Sequence, residues 1–204
     1  VCPISASSMT AQYSVEDVLD LIHKHKVFLS GITVSGGEAT LQADFVGALF
    51  AAIKSDPDLS DLTCFIDSNG MLDEAGWQAL LPVTDGVMLD IKAFSNELHR
   101  ELTGDVNYVA LKASRLIHKA GKLHEIRYLL IPGKTDNPDE LQHLVDFVQA
   151  LGLDTRVRLN AFQHHGVRGA ALNTDSIPKE GVDAVVQLLG RSGIHNVTTP
   201  AIYQ

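Results

Sequence analysis

The feature that most constrains the fold is a regular alternation of short apolar segments with amphipathic helical segments. The first apolar segment runs from Gly31 to Val34, and similar segments recur about every 30 residues, the length of a βαβ unit. Between them, apolar residues follow the i, i+3, i+4, i+7 spacing of one helix face. The strands are predicted at 31–34, 62–66, 87–91, 125–131, 156–159 and 194–197.

Residues typical of helix ends mark the intervening segments. Ser14 offers an N-cap with Asp17 in the first turn, and Asn137 precedes Pro138 where another helix is predicted to begin. Strict alternation predicts parallel strands covered on both faces, as in a doubly wound sheet or a (β/α) barrel. The pattern does not separate these two folds, but in both the loops that follow the strands meet on one face. The helices are predicted near 14–22, 45–53, 73–81, 113–120, 138–148 and 182–189.

Length and charge exclude several classes of protein. With 204 residues, 45% of them hydrophobic, the chain can bury one sizeable core, so a single domain is predicted. The net charge of -9 lacks long single-sign blocks, which argues against a nucleic-acid-binding surface. No apolar run approaches the roughly 20 residues that span a bilayer, and no secretory leader opens the chain. We therefore expect a cytoplasmic protein that does not enter a membrane.

The cysteines and the paired histidines do not favour a complete metal site. Only Cys2 and Cys64 are present, so neither a disulfide framework nor a cysteine-based metal site is expected within one copy. Cys64 lies in an apolar strand and is predicted to be buried. His164 and His165 are adjacent, and neighbouring side chains of an extended segment point in opposite directions. The remaining histidines, mostly on predicted helices, are expected at the surface.

Two loops at strand ends combine glycine with hydrogen-bonding side chains. In the first, Gly36 and Gly37 let backbone approach a ligand, and the Glu38 carboxylate could hold an ammonium group. The alternative is a tight turn in which Glu38 caps the following helix. The second loop, residues 67–70, could grip ribose hydroxyls or could form an Asx turn and an N-cap.

An acid and a base emerge together from the third strand. Alternation places Asp90 and Lys92 on the same side of that strand, at the mouth where ligands bind. An inward ion pair is costly to desolvate and usually serves a ligand or a reaction, although a structural salt bridge is the alternative.

Four segments together resemble a known family. They are GITVSGGEATLQ at 31–42, CFIDSNG at 64–70, VMLDIK at 87–92 and IRYLLIPG at 126–133. In this order they resemble the radical S-adenosylmethionine (SAM) activases of glycyl-radical enzymes, relatives of the pyruvate formate-lyase-activating enzyme. GITVSGGEAT and RLNAF at 158–162 are most similar to the YjjW-type activases. The resemblance implies an α/β fold, a partial TIM-like (β/α)6 radical SAM barrel that lacks its first strand.

The resemblance also implies which residues bind SAM. It places Gly36, Gly37 and Glu38 at the amino group, and Asp67, Ser68 and Asn69 on the ribose side. Asp90 and Lys92 match a pair near the SAM carboxylate and the peptide site, Arg127 matches an active-site arginine, and Asn160 lies in the matching last loop. The family's histidine near SAM aligns with Gln163, or with His164 or His165 if the loop slips. Asp67, Met88 and Asp90 match a monovalent-cation site.

One family motif does not occur in the sequence. The C-x-x-x-C-x-x-C motif, whose thiolates hold the [4Fe-4S] cluster that reduces SAM, is absent. Cys2-Pro3 resembles the last cluster ligand of a ferredoxin-like insert that precedes the barrel in similar activases. We therefore expect residues 1–13 to be a remnant of that insert with its connector, and residues 14–204 to be a partial barrel. The chain is expected to hold no cluster and to be inactive alone.

The resemblance implies the reaction of the parent enzyme and its partners. SAM would be cleaved reductively to a 5′-deoxyadenosyl radical that installs a glycyl radical on a partner enzyme. A flavodoxin or ferredoxin-type protein would supply the electron. One alternative is a docking module for a glycyl-radical protein. Another is a decarboxylase or aldolase that uses Lys92, although Ser95 replaces the second aspartate of the D-x-K-x-x-D pattern.

The missing first strand has a consequence for association. It would leave the backbone of residues 31–34 unpaired on one side, and such edges bind other strands. We expect the edge to be covered by residues 1–13 or by a second copy of the chain.

Overall fold

The computed structural model describes residues 11–162 and 174–200, which form one parallel sheet surrounded by helices. The strands are β1 (Gly31–Val34), β2 (Thr63–Ser68), β3 (Gly86–Ile91), β4 (Leu123–Leu130), β5 (Val157–Ala161) and β6 (Val197–Thr198). The helices are α1 (Val15–His25), α2 (Ala43–Ser55), α3 (Glu74–Leu80), α4 (Asn96–Thr103), α5 (Tyr108–Lys119), α6 (Pro138–Leu151) and α7 (Lys179–Arg191).

The strand order decides between the two folds left open by the sequence. The strands lie in the order β1-β2-β3-β4-β5-β6, and each pairs in parallel with its neighbour in the chain. A doubly wound sheet reverses its strand order at a switch point, whereas a barrel does not. The structure is therefore a partial TIM-like barrel, which confirms the predicted fold class.

Alternation along the strands separates a core face from a polar face. One set of strand residues is fully buried against the helices, including Ile66, Leu89, Ile126, Tyr128 and Leu159. The residues between them point to the concave side of the sheet and are only partly buried. The polar side chains of the candidate site belong to this second set. They are Asp67 on β2, Met88 and Asp90 on β3, Arg127 on β4, and Arg158 and Asn160 on β5.

Capping side chains explain why two helices begin where the sequence predicts. At α1, the Ser14 hydroxyl accepts a hydrogen bond from Asp17 N–H, and the Asp17 carboxylate accepts one from Ser14 N–H. At α6, Asn137 caps the first turn and Pro138 occupies the first helical position. Both arrangements satisfy N–H groups that have no partner inside the helix.

Helix α4 was missed by the sequence-based prediction. Ser95 caps its start, and Gly104 ends it with φ of 83°. This helix has 8 residues, of which only Leu98 and Leu102 are apolar, and among its residues only His99 is buried. His99 is 4% exposed, so the expectation that helical histidines lie at the surface is wrong for this residue. Helix α7 also continues past Gly190, where an end was predicted.

The interior of β2 contains the thiol that was predicted to be buried. Cys64 is fully buried, and burial raises the pKa of its thiol to about 11. A thiol with this pKa stays protonated at neutral pH and is a poor metal ligand. Among the described helices, none is both long and apolar enough to cross a membrane.

Candidate active site

The Glu38 carboxylate joins the loop after β1 to the loop after β2. Its Oε1 accepts hydrogen bonds from Thr40 N–H (3.0 Å), the Thr40 hydroxyl (2.7 Å) and the Ser68 hydroxyl (2.8 Å). Its Oε2 accepts one from Asn69 N–H at 2.7 Å. Glu38 therefore caps the short 3-10 helix Ala39–Gln42, as the structural alternative predicted, and also fixes the next loop along the sheet.

The same contacts leave one part of the carboxylate available. An ionised carboxylate offers about four acceptor positions, about two on each oxygen. Three donors already approach Oε1, whereas one approaches Oε2. Glu38 is only partly buried. A further donor such as an ammonium group would therefore bind at Oε2.

The glycines beside Glu38 leave open space for a ligand. A Cβ added to Gly36 or Gly37 would meet no atom within 4 Å. Gly36 has φ of 150°, in a region that other residues rarely adopt. The backbone of this loop is thus accessible without interference from side chains.

The loop after β2 is held by its own polar side chains. Ser68 is 3% exposed, and its hydroxyl donates to Glu38 and accepts from Gly70 N–H at 3.0 Å. The Asn69 Oδ1 accepts from Met71 N–H at 2.9 Å, which is the predicted Asx turn. Asn69 also lines a cavity of about 210 Å³ together with Lys92.

Arg127 lies at the centre of a polar network on the concave face. Its Nε donates to Glu125 at 2.7 Å, its Nη1 to Asp67 at 2.8 Å and its Nη2 to Met88 Sδ at 2.8 Å. Burial alone would lower the pKa of Arg127, but the neighbouring Glu125 and Asp67 raise it. The guanidinium therefore occupies the space between two of the proposed cation ligands, Asp67 and Met88.

Asp90 and Lys92 form the ion pair that alternation predicts. Lys92 Nζ lies 2.6 Å from Asp90 Oδ2, and both side chains are partly exposed. Lys92 also lines a cleft of about 550 Å³ that includes Leu129 and Lys134. Lys92 Nζ is therefore engaged by a carboxylate in this arrangement.

The structure brings most of the predicted residues onto one face but leaves some outside it. Asn160 accepts a hydrogen bond from Arg158 Nε at 3.3 Å on β5. Cys2, Gln163, His164 and His165 lie outside the described residues. Within residues 11–162 and 174–200, no group of three histidine, cysteine or acidic side chains could hold a metal ion.

Sequence reasoning missed Glu125 and Arg158 as members of this face. Each is a charged residue within an apolar strand, two positions from a residue that was identified: Glu125 precedes Arg127, and Arg158 precedes Asn160. The rule that residues two apart on a strand share a face predicted the placement of Asp90 and Lys92. The same rule applied to β4 and β5 would have identified Glu125 and Arg158.

Comparisons with known proteins identify the family of this chain. The family model "Radical SAM superfamily" matches residues 2–148. The pyruvate formate-lyase 1-activating enzyme of Escherichia coli (strain K12) is 32% identical over 166 residues, covering 76% of this chain and 64% of that enzyme. The pyruvate formate-lyase-activating enzyme of Listeria monocytogenes serovar 1/2a is 31% identical over 179 residues, covering 84% of this chain and 71% of that enzyme.

A solved structure supports the fold independently. It is a domain of a pyruvate-formate lyase-activating enzyme from Bacteroides vulgatus, with a TM-score of 0.66 and 17% identity, covering 84% of this chain and 99% of that chain. The present chain spans less than two thirds of the E. coli enzyme. The chain belongs to the radical SAM superfamily, among the relatives of the pyruvate formate-lyase-activating enzymes.

Proposed function

We propose that this chain forms the SAM-binding part of an activase that installs a glycyl radical on a partner enzyme. The observation that carries the proposal is the Glu38 carboxylate, which is held rigidly by four hydrogen bonds yet has Oε2 available beside an open glycine loop. In such an enzyme, SAM that has accepted one electron from a reduced cluster would supply the carbon radical that removes a hydrogen atom from a glycine Cα.

The chain's own residues suit the groups of SAM. Oε2 of Glu38 would accept from the amino group, and the bare backbone at Gly36 and Gly37 would approach the ligand closely. Lys92, oriented by Asp90, supplies a positive charge for the carboxylate. Asn69, which we assign to the ribose side of SAM, lines a cavity.

The residues present do not fit a [4Fe-4S] cluster. The sequence contains two cysteines, whereas three thiolates are needed beside the SAM-bound iron. Cys64 is fully buried on the core side of β2, away from the polar face. We therefore propose that the 204-residue chain alone binds SAM but neither assembles the cluster nor cleaves SAM.

The proposed partners follow from the named relatives. A protein that activates a glycyl-radical enzyme must contact that enzyme and must receive an electron, which a flavodoxin or ferredoxin-type protein would supply. The free thiol of Cys64 is consistent with a reducing compartment, and we propose a cytoplasmic location.

The remaining site assignments are proposals as well. Gln163 and His165, which follow β5 in the chain and lie outside the described residues, would contribute near SAM. A monovalent cation on Asp67, Met88 and Asp90 would have to share these ligands with Arg127 and Lys92, which contact them in the structure.

A glycine substitution tests SAM binding with little structural cost. A valine side chain at Gly37 would enter open space, so Gly37→Val should fold normally but block the approach of a ligand. Gly190→Val on α7 is the control, because its added Cβ also meets no atom within 4 Å. In calorimetric titrations with SAM, we expect Gly37→Val to lose at least about tenfold in affinity, equivalent to about 1.4 kcal/mol, and the control to retain it.

Equal SAM affinity in both variants would contradict the proposed site. Binding of a candidate glycyl-radical enzyme that needs no SAM and survives Gly37→Val would instead support the docking-module alternative.

A further inference from the structure

Two arginines lie side by side on the concave face, and their surroundings differ. Arg127 on β4 is directly opposite Arg158 on β5 in the strand register. All three nitrogens of the Arg127 guanidinium already have protein acceptors. Arg127 is therefore held in place by the protein, and each of its three nitrogens already donates one hydrogen bond.

Arg158 has the opposite character. Its Nε donates to Asn160 Oδ1 at 3.3 Å. Among the described ion pairs, none includes Arg158, although its side chain is partly buried. A guanidinium has five N–H donors, so the edge formed by Nη1 and Nη2 is available. Partial desolvation of an unpaired cation is unfavourable unless a ligand compensates for it.

We propose that Arg158 binds a carboxylate of the polypeptide substrate and thereby positions the substrate glycine. The planar edge of a guanidinium matches the two oxygens of a carboxylate. The hydrogen bond from Arg158 Nε to Asn160 engages one side of the guanidinium, so the edge formed by Nη1 and Nη2 is the part that can meet a ligand. This inference rests on the proposed function, because that function makes the substrate a polypeptide.

The position of Arg158 separates it from the carboxylate of SAM. The amino group and the carboxylate of SAM are attached to one carbon, so both would bind near Glu38 and Lys92, beside β1 and β3. Arg158 is on β5, two strand intervals from β3, which Lys92 follows directly, and four from β1; these separations are roughly 10 Å and 19 Å along the curved sheet at about 4.8 Å per interval. We therefore assign the carboxylate bound by Arg158 to the polypeptide, and the SAM affinity of Arg158→Gln tests this assignment against the carboxylate of SAM.

A polypeptide can reach Arg158 from the side of β6. In the described residues, β6 contains only Val197–Thr198, and Thr198, the register partner of Arg158, is exposed. Within residues 11–162 and 174–200, the concave face beside Arg158 is bordered by this short, partly exposed strand, which suits a segment that belongs to a larger protein.

Paired peptides test the assignment. The probes are N-acetylated, C-amidated octapeptides with a central glycine, in which one flanking position at a time carries either glutamate or glutamine. Each is titrated into the 204-residue chain in the presence of saturating SAM. The wild-type chain should prefer glutamate over glutamine at one flanking position by roughly tenfold or more, the value of a charged hydrogen bond.

Variants at position 158 assign that preference. Arg158→Gln should abolish it, Arg158→Lys should retain part of it, and Arg158→Glu should favour a lysine peptide at the same position. Thermal unfolding of each variant checks that the fold is intact. A glutamate preference that survives in Arg158→Gln, or a wild-type chain without any preference or peptide binding, would overturn the inference.

The SAM affinity of the same variants distinguishes the two proposals. Arg158→Gln should bind SAM with wild-type affinity. A tenfold loss of SAM affinity would assign the carboxylate to SAM and would overturn the peptide assignment. Failure of the wild-type chain to bind SAM would instead contradict the proposed function.

Discussion

Replacement of Glu38 by alanine should affect both stability and SAM affinity, and the structure gives the size of each effect. Glu38→Ala removes the acceptor of four donors, two of which are the backbone N–H groups of Thr40 and Asn69. Each donor left unpaired in a buried place costs about 1–3 kcal/mol, and the loop is partly exposed, so the loss should be about 2–4 kcal/mol. For a chain of this size that lowers Tm by roughly 4–16 °C.

The expected loss of SAM affinity is separate from the loss of stability. A hydrogen bond between the carboxylate and an ammonium group contributes about 1.5–3 kcal/mol, so affinity should fall roughly 10- to 100-fold. Calorimetric titration with SAM measures it, at a temperature at which every variant is folded.

Glu140 provides a matched control. Its carboxylate is 2% exposed and accepts from Phe94 N–H at 2.7 Å, Ser95 N–H at 2.6 Å and the Tyr128 hydroxyl at 3.3 Å. Glu140→Ala should lower Tm at least as much as Glu38→Ala, because it leaves similar donors in a more buried place, yet it should retain SAM affinity. If Glu38→Ala also retains SAM affinity, Glu38 only holds the two loops together and the SAM assignment is refuted.

Burial lowers the pKa of His99 in the folded chain below its ordinary value of 6.5. The buried neutral side chain therefore contributes its full stability above the pKa of the unfolded chain, and this contribution is lost as the pH falls through the pKa of the folded chain. His99→Gln should therefore flatten the decline of Tm between about pH 7 and 5, and an unchanged decline would exclude His99 as its cause. Phe28 is 85% exposed and lies shortly before β1, so we expect it to take part in self-association at the β1 edge. Phe28→Lys should abolish the dimers seen by sedimentation velocity. Tyr108→Lys, which changes another exposed aromatic residue, should leave the dimers intact. A wild-type chain that is monomeric at every concentration would show that no second copy covers the edge. Anaerobic reconstitution with iron and sulfide should leave the chain without a stoichiometric [4Fe-4S] cluster and without 5′-deoxyadenosine. Formation of both would overturn the proposed inactivity.

Features that depend on neighbours in the chain were predictable from the sequence. The alternation of strands and helices, the Ser14 and Asn137 caps and the burial of Cys64 follow from local periodicity and capping preference. The Asp90–Lys92 pair was predictable for the same reason, because residues two apart on a strand point to the same side. Helix α4 was missed because Leu98 and Leu102 are its only apolar residues, which is too short a pattern to identify a helix.

The tertiary structure decided the contacts between residues that are distant in the chain. Glu38 meets Ser68 across 30 positions, and Arg127 meets Asp67 across 60. The sequence pattern identified these residues but not their partners. Strand order and register determine which side chains become neighbours, and the periodicity within one strand carries no information about strand order or register. For that reason the sequence by itself determined a parallel β/α chain with polar strand ends. The barrel order, the network at Arg127 and the placement of Arg158 beside it exist only once the strands are assembled.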